Sequence, residues 1–160
     1  MQQDMQQQLG LTQLGADTMA DKDEVATGRA PPRVLIVEAH EENRTLFGML
    51  LEASGFHVTH ARDGIEALAA ARKDPPHAVV SELLMPNMDG FALCRAWMQD
   101  AALRHIPFVF YSGHHVRPDQ EQHASALGAA RFLFKPMQTA ALLRELRAVL
   151  DAPAGGASAA

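Results

Sequence analysis

Several polar side chains stand directly behind short apolar runs in this chain. Glu38 and His40 follow Val34-Leu35-Ile36-Val37, Glu82 follows the run that ends at Ser81, Ser112 follows 106–111, and Lys135 follows Arg131-Phe132-Leu133-Phe134. Two carboxylates, an imidazole, a hydroxyl and an ammonium are groups that hold ligands or neutralise one another when a fold gathers them. The eight histidines invite a metal hypothesis. His57, His60 and His77 fall at the ends of apolar runs and His105 in a loop, while the side chains of adjacent His114 and His115 diverge. None of these pairs has helix-face or zinc-type spacing, so no metal site is expected from them.

The elements that must position these groups follow from periodicity. The run 34–37 is continuously apolar, as a strand buried on both faces requires. Leu46, Phe47, Leu50 and Leu51 recur at three- and four-residue spacing, which predicts a helix that Gly55 stops. Further strands are expected over 56–60, 77–81, 106–111 and 131–134, and helices over 63–72, 90–99, 118–127 and 138–150. Five apolar strands alternating with five helices imply a parallel sheet between helix layers, a three-layer α/β sandwich. Ligands of such sheets bind at the carboxyl ends of the strands, near the switch in strand order. Glu38-Ala39-His40, Glu82, Ser112 and Lys135 all occupy such ends.

Length and composition set the bounds. The chain of 160 residues fits one domain with flanking tails. Residues 1–32 are Gln-rich and then acidic with few large apolar groups, and are expected to be a flexible tail, with a short helix conceivable over 11–19. Residues 33–151 form the folded unit, and 152–160, rich in Ala, Gly and Ser, a disordered tail. The net charge of -5 and 14 scattered basic residues give no footprint for nucleic acid. No apolar run approaches the roughly 20 residues that cross a bilayer, and the N-terminus lacks a signal-peptide layout, so a cytoplasmic location away from membranes is expected. The single Cys94 lies in an apolar helical pattern and reads as a core residue.

Taken together, Leu35-Ile36-Val37-Glu38, Met85-Pro86-Asn87-Met88-Asp89-Gly90, Tyr111-Ser112-Gly113 and Phe134-Lys135-Pro136 resemble the ordered motifs of response-regulator receiver domains of two-component signalling. The resemblance covers about residues 33–150. It implies the flavodoxin-like (βα)5 fold with strand order 2-1-3-4-5. In that family, acids after the first strand and an Asp after the third hold Mg²⁺, the third-strand Asp accepts a phosphoryl group, and a hydroxyl and a Lys bind its oxygens.

Carried over by position, the hydroxyl is Ser112 and the lysine Lys135, whereas the acidic pair has become Glu38 and Ala39, and the phosphoacceptor position is Glu82. One acid is lost and two carboxylates are displaced by a methylene, so Mg²⁺ binding is expected to be weak or absent and no cofactor is expected. In-line attack tuned for Asp would be misplaced at Glu82. Two consequences stay open: Glu82 mimics the phosphorylated state by reaching Lys135 and Ser112, or it forms only a structural salt bridge with Lys135. Phe132 stands at the family's aromatic switch position, where a core aromatic is the plainer reading. His40, at the pocket mouth, either lends its imidazole to the depleted site or is a solvated loop residue.

These departures suggest a pseudo-receiver that is not an enzyme and signals by protein contacts. Alternatives are phosphorylation at Glu82 or a nearby hydroxyl such as Ser81 or Ser112, or a receiver portion of a larger hybrid kinase or regulator. The resemblance nominates the face of the fourth helix, fifth strand and fifth helix for a kinase, regulator or output protein, and as a route to a homodimer. The third helix carries Phe91, Leu93, Cys94, Trp97 and Met98, more than one buried stripe needs, which makes Trp97 and Met98 candidates for a contact surface, against the ordinary reading that they cover the sheet edge.

Overall fold

A computed structural model describes residues 30–113 and 116–152 of the chain. Strands β1 (Arg33–Val37), β2 (His57–Ala61), β3 (Ala78–Ser81), β4 (Phe108–Ser112) and β5 (Arg131–Phe134) alternate with helices α1 (Glu41–Ala53), α2 (Gly64–Lys73), α3 (Gly90–Gln99), α4 (Pro118–Leu127) and α5 (Thr139–Asp151). All strand pairs are parallel and the order is β2-β1-β3-β4-β5. This is the flavodoxin-like architecture expected from the sequence. The helix conceivable over 11–19 lies outside the described residues.

Alternation along the strands divides the core into two layers. Leu35, Val37, Val79, Phe108 and Phe110 point to one face, where Ala67 and Leu68 of α2 and Leu93, Cys94 and Trp97 of α3 cover them. Val34, Ile36, Val80, Val109 and Leu133 point to the other, against Leu51 of α1 and Leu142, Leu146 and Val149 of α5. A two-faced burial of this kind requires strands that are apolar at consecutive positions, which is why their sequence does not alternate.

Local chemistry sets the element ends. The Asp63 side chain accepts from the Glu66 amide at 2.9 Å and Asp89 from the Ala92 amide at 2.8 Å, capping α2 and α3. Gly55 (φ 96°) and Gly128 (φ 108°) close α1 and α4 in the left-handed region, which a side chain would strain. Strand β4 begins at Phe108 rather than at Ile106, since Pro107 has no amide to give to a ladder. At Gly90 a Cβ would stand 2.6 Å from the Glu82 carbonyl oxygen and 2.8 Å from the Phe110 ring. Glycine there lets α3 start hard against the end of β3.

The expectation that Trp97 contributes a contact surface is corrected. Its side chain is fully buried, its ring meets Phe108 edge-on at 5.9 Å, and Nε1 donates to the Ile106 carbonyl at 3.1 Å. Met98 is half-buried against the same core, with its sulfur facing Gly128. The extra apolar residues of α3 are used because this helix packs against the sheet and against α4 as well, so its buried face is wider than one stripe. Cys94 is buried too, and burial pushes its thiol up to about 12, which makes it an inert core group.

Two stability experiments follow. Trp97→Ala is expected to cost about 3–5 kcal/mol, the range for deleting a buried large aromatic, read from urea unfolding; a cost below about 1 kcal/mol would contradict its place in the core. Hydrogen bonds from the Glu66 amide and from Asn87 hold the Asp63 carboxyl below its ordinary value of 3.8. A depressed carboxylate contributes stability above its unfolded pKa and loses it as pH falls through the folded value. Asp63→Ala is therefore expected to cost about 1 kcal/mol at neutral pH, and the difference from the parent protein to shrink below pH 3.8.

Candidate functional site

The ends of β1, β3 and β5 bring three charged groups together. Lys135 Nζ lies 3.1 Å from Glu82 Oε2 and 3.5 Å from Glu38 Oε1. Both carboxylates are buried, with side chains 5% and 7% exposed, and the lysine is 29% exposed. The alkyl stem of Lys135 passes Gly113, and its ammonium stands 5.2 Å from the centre of the Tyr111 ring. The desolvation of two carboxylates is thus offset by one shared ammonium and by the amides around them.

Each carboxylate has its own supports. Glu82 Oε1 accepts from the backbone amide of Leu83 at 2.8 Å, so the side chain turns back on its own strand end instead of projecting outward. Ser81 Oγ donates to the Glu82 carbonyl at 2.8 Å. Glu38 accepts from the His40 amide at 3.4 Å and from Asn43 Nδ2 at 3.3 Å, while Arg44 Nη1 donates to the Glu38 carbonyl at 2.8 Å. The first turn of α1 therefore locks the β1 end. His40 keeps its side chain 72% exposed, with Nδ1 3.7 Å from Glu38 Oε2, so it is a rim residue with one loose contact to the pocket.

Ser112 stands apart from this cluster. Its hydroxyl is buried and has no hydrogen-bond partner, so the expectation that Glu82 reaches both Lys135 and Ser112 holds for the lysine alone. One Glu82 oxygen is engaged locally by the Leu83 amide and the other by Lys135. Phe132 lies half-buried, stacked on Phe110 at 5.2 Å with 19° between the rings and 5.3 Å from Phe134. A continuous aromatic file thus runs from Trp97 through Phe108, Phe110 and Phe132 to Phe134, which is 44% exposed.

Beside the charged cluster, on the α1 and α5 side of the sheet, a cleft of about 320 Å³ opens between α1 and the segment Lys135-Pro136. Sequence reasoning missed Asn43 and the aromatic wall of this cleft. Asn43 lies in the first turn of a helix that starts just behind β1, and that proximity was the available signal. For a divalent cation the donor set falls short: Ala39 offers a methyl group, the two carboxylates share an ammonium, and among the described residues no three His, Cys, Asp or Glu side chains converge as ligands.

Comparison with known proteins agrees with this architecture. The model of the response regulator receiver domain matches residues 34–147. The chain is 37% identical over 117 residues to the response regulator PleD of Caulobacter vibrioides, covering 73% of this chain and 26% of PleD. It thus spans about a quarter of that relative's length. It is 30% identical over 120 residues to the polar-differentiation response regulator DivK of Brucella anthropi, covering 75% of this chain and 97% of DivK. The solved chemotaxis response regulator CheY4 of Vibrio cholerae superposes with a TM-score of 0.68 at 30% identity, over 74% of this chain and 98% of that one. With its motifs in order, its strands in the sequence β2-β1-β3-β4-β5 and its family model matched over most of the folded part, the chain belongs to the response regulator receiver domain family.

Proposed function

We propose that this receiver works as a docking module without a phosphorylation cycle. The observation that carries this reading is the charged cluster in which Lys135 bridges Glu82 and Glu38. At the phosphoacceptor position the carboxylate is engaged by the Lys135 ammonium at 3.1 Å and the Leu83 amide at 2.8 Å. A phosphoryl group bound there would need the same ammonium, and a divalent cation would need a carboxylate where Ala39 stands. The Lys135 ammonium that would stabilise a transferring phosphoryl is already engaged by two carboxylates of the chain itself, while the Ser112 hydroxyl is not.

The bridge fixes one arrangement of the pocket without reproducing a phosphoryl group. A carboxylate offers one charge and two oxygens, and one of those oxygens is held by the Leu83 amide. The unpartnered Ser112 hydroxyl fits a half-completed switch in which the lysine is drawn in and the hydroxyl is not. Contacts with a kinase, regulator or output protein are assigned to the face of α4, β5 and α5. Helix α4 buries only Ala124 among its described residues, Phe134 emerges there, and the aromatic file links that residue to the core. The length of PleD and of DivK show that relatives carry a receiver both inside a longer chain and nearly by itself.

Incubation with acetyl phosphate and Mg²⁺, followed by intact mass measurement, is expected to leave the mass unchanged. A phosphoryl adduct that disappears in Glu82→Gln overturns the proposal. As a control, the triple change Glu38→Asp, Ala39→Asp, Glu82→Asp is expected to gain Mg²⁺ binding by titration calorimetry. The bridge itself is tested by Lys135→Met, which strands two buried carboxylates. It is expected to cost about 2 kcal/mol, between the values of exposed and fully buried pairs. Adding Glu82→Gln to Lys135→Met should recover part of that loss, and strictly additive effects would show that the two groups do not interact.

A further inference from the structure

We propose that the cleft between α1 and Lys135-Pro136 binds a small amphiphilic cation, a compact ring or short alkyl body carrying an ammonium group. Its floor is the sheet itself, at Ile36 and Val80, so it reaches through the helix layer instead of lying on the surface. Leu46, Phe47 and Tyr111 line its apolar side, with the Phe47 and Tyr111 rings packed tilted against each other at 5.4 Å between centroids. At about 320 Å³ it is at the lower end of small-molecule sites, which span roughly 300–1,000 Å³, and so suits a single ring.

Charge decides the sign of the ligand. Glu38 and Glu82 line the inner end and share Lys135, so two carboxylates face one ammonium. Arg44 is committed to the carbonyls of Glu38 and Ala39, and Glu41 and Glu42 add negative charge in the first turn of α1. An ionised carboxylate accepts about four hydrogen bonds, and Glu82 receives only those of Lys135 and Leu83, so acceptor capacity remains. An incoming ammonium would complete the charge balance of the buried group while its body covers the apolar walls. A helix of a partner protein is the competing occupant, because Leu46 is 66% exposed and Met49, also on α1, is 61% exposed. The floor at the level of the sheet favours the small ligand, which reaches a depth that a helix backbone does not.

The site depends on Glu82 staying unmodified, so the mass of each sample is measured first; an adduct there would reject the docking reading separately from this one. With phenethylamine as the probe, followed by amide ¹H–¹⁵N spectra, saturable shifts are expected at Leu46, Phe47 and Tyr111. Phenylacetate, the anionic counterpart, is expected to give none. Glu82→Gln should weaken phenethylamine roughly two- to fivefold, the worth of one partly screened charge. Leu46→Ser, an exposed position that leaves the fold intact, should weaken it as well. Equal or tighter binding of phenylacetate, absence of saturable shifts with phenethylamine, or an unchanged affinity in both variants overturns the proposal. So does a basic amphipathic peptide of alternating Leu and Lys blocks that shifts the same amides when phenethylamine does not.

Discussion

One lysine between two buried carboxylates is the constraint around which the strand ends are arranged. Lys135 is separated from Glu82 by 53 positions and from Glu38 by 97, so the ammonium ties the end of β5 to those of β3 and β1. Burying a carboxylate is costly unless it is paired and hydrogen-bonded. The surrounding structure supplies these bonds: the Leu83 amide for Glu82, and Asn43 and the His40 amide for Glu38. The close start of α3, possible because Gly90 has no side chain, brings the chain back against the Glu82 carbonyl.

The two layers of the core serve this arrangement differently. On the α2, α3 and α4 side, Trp97 and the file of phenylalanines form a rigid aromatic column that ends at the surface in Phe134, next to Lys135. On the α1 and α5 side, the apolar surface is incompletely covered, and the cleft beside the charged cluster is the result. Movement of Lys135 would be felt on both sides, since the residue follows Phe134 in sequence and stands over the Tyr111 ring that lines the cleft.

A glutamate at the end of β3 has a geometric consequence that its residue type alone does not convey. An additional methylene lets the Glu82 carboxylate fold back to the amide of the next residue, and this local bond competes with any reach toward Ser112. An unsatisfied buried hydroxyl costs about 1–3 kcal/mol.

Much of the fold was legible in the sequence, because helices and strands are written in the spacing of near neighbours. Continuous apolar runs pointed to the strands, three- and four-residue spacing to α1, and the order of motifs to the sheet topology. The identities of Glu38, Ala39, Glu82, Ser112 and Lys135 at the strand ends were legible for the same reason. Which of them touch was not. The sharing of Lys135, the turn of Glu82 toward its own backbone, the isolation of Ser112 and the arrival of Asn43 depend on strand register and rotamer, and these are fixed only when distant segments pack. Trp97 teaches the same lesson from the core: it shares one stripe of α3 with Gly90, Leu93 and Cys94, but its contacts with Phe108 and the Ile106 carbonyl exist only once α3 packs on the sheet.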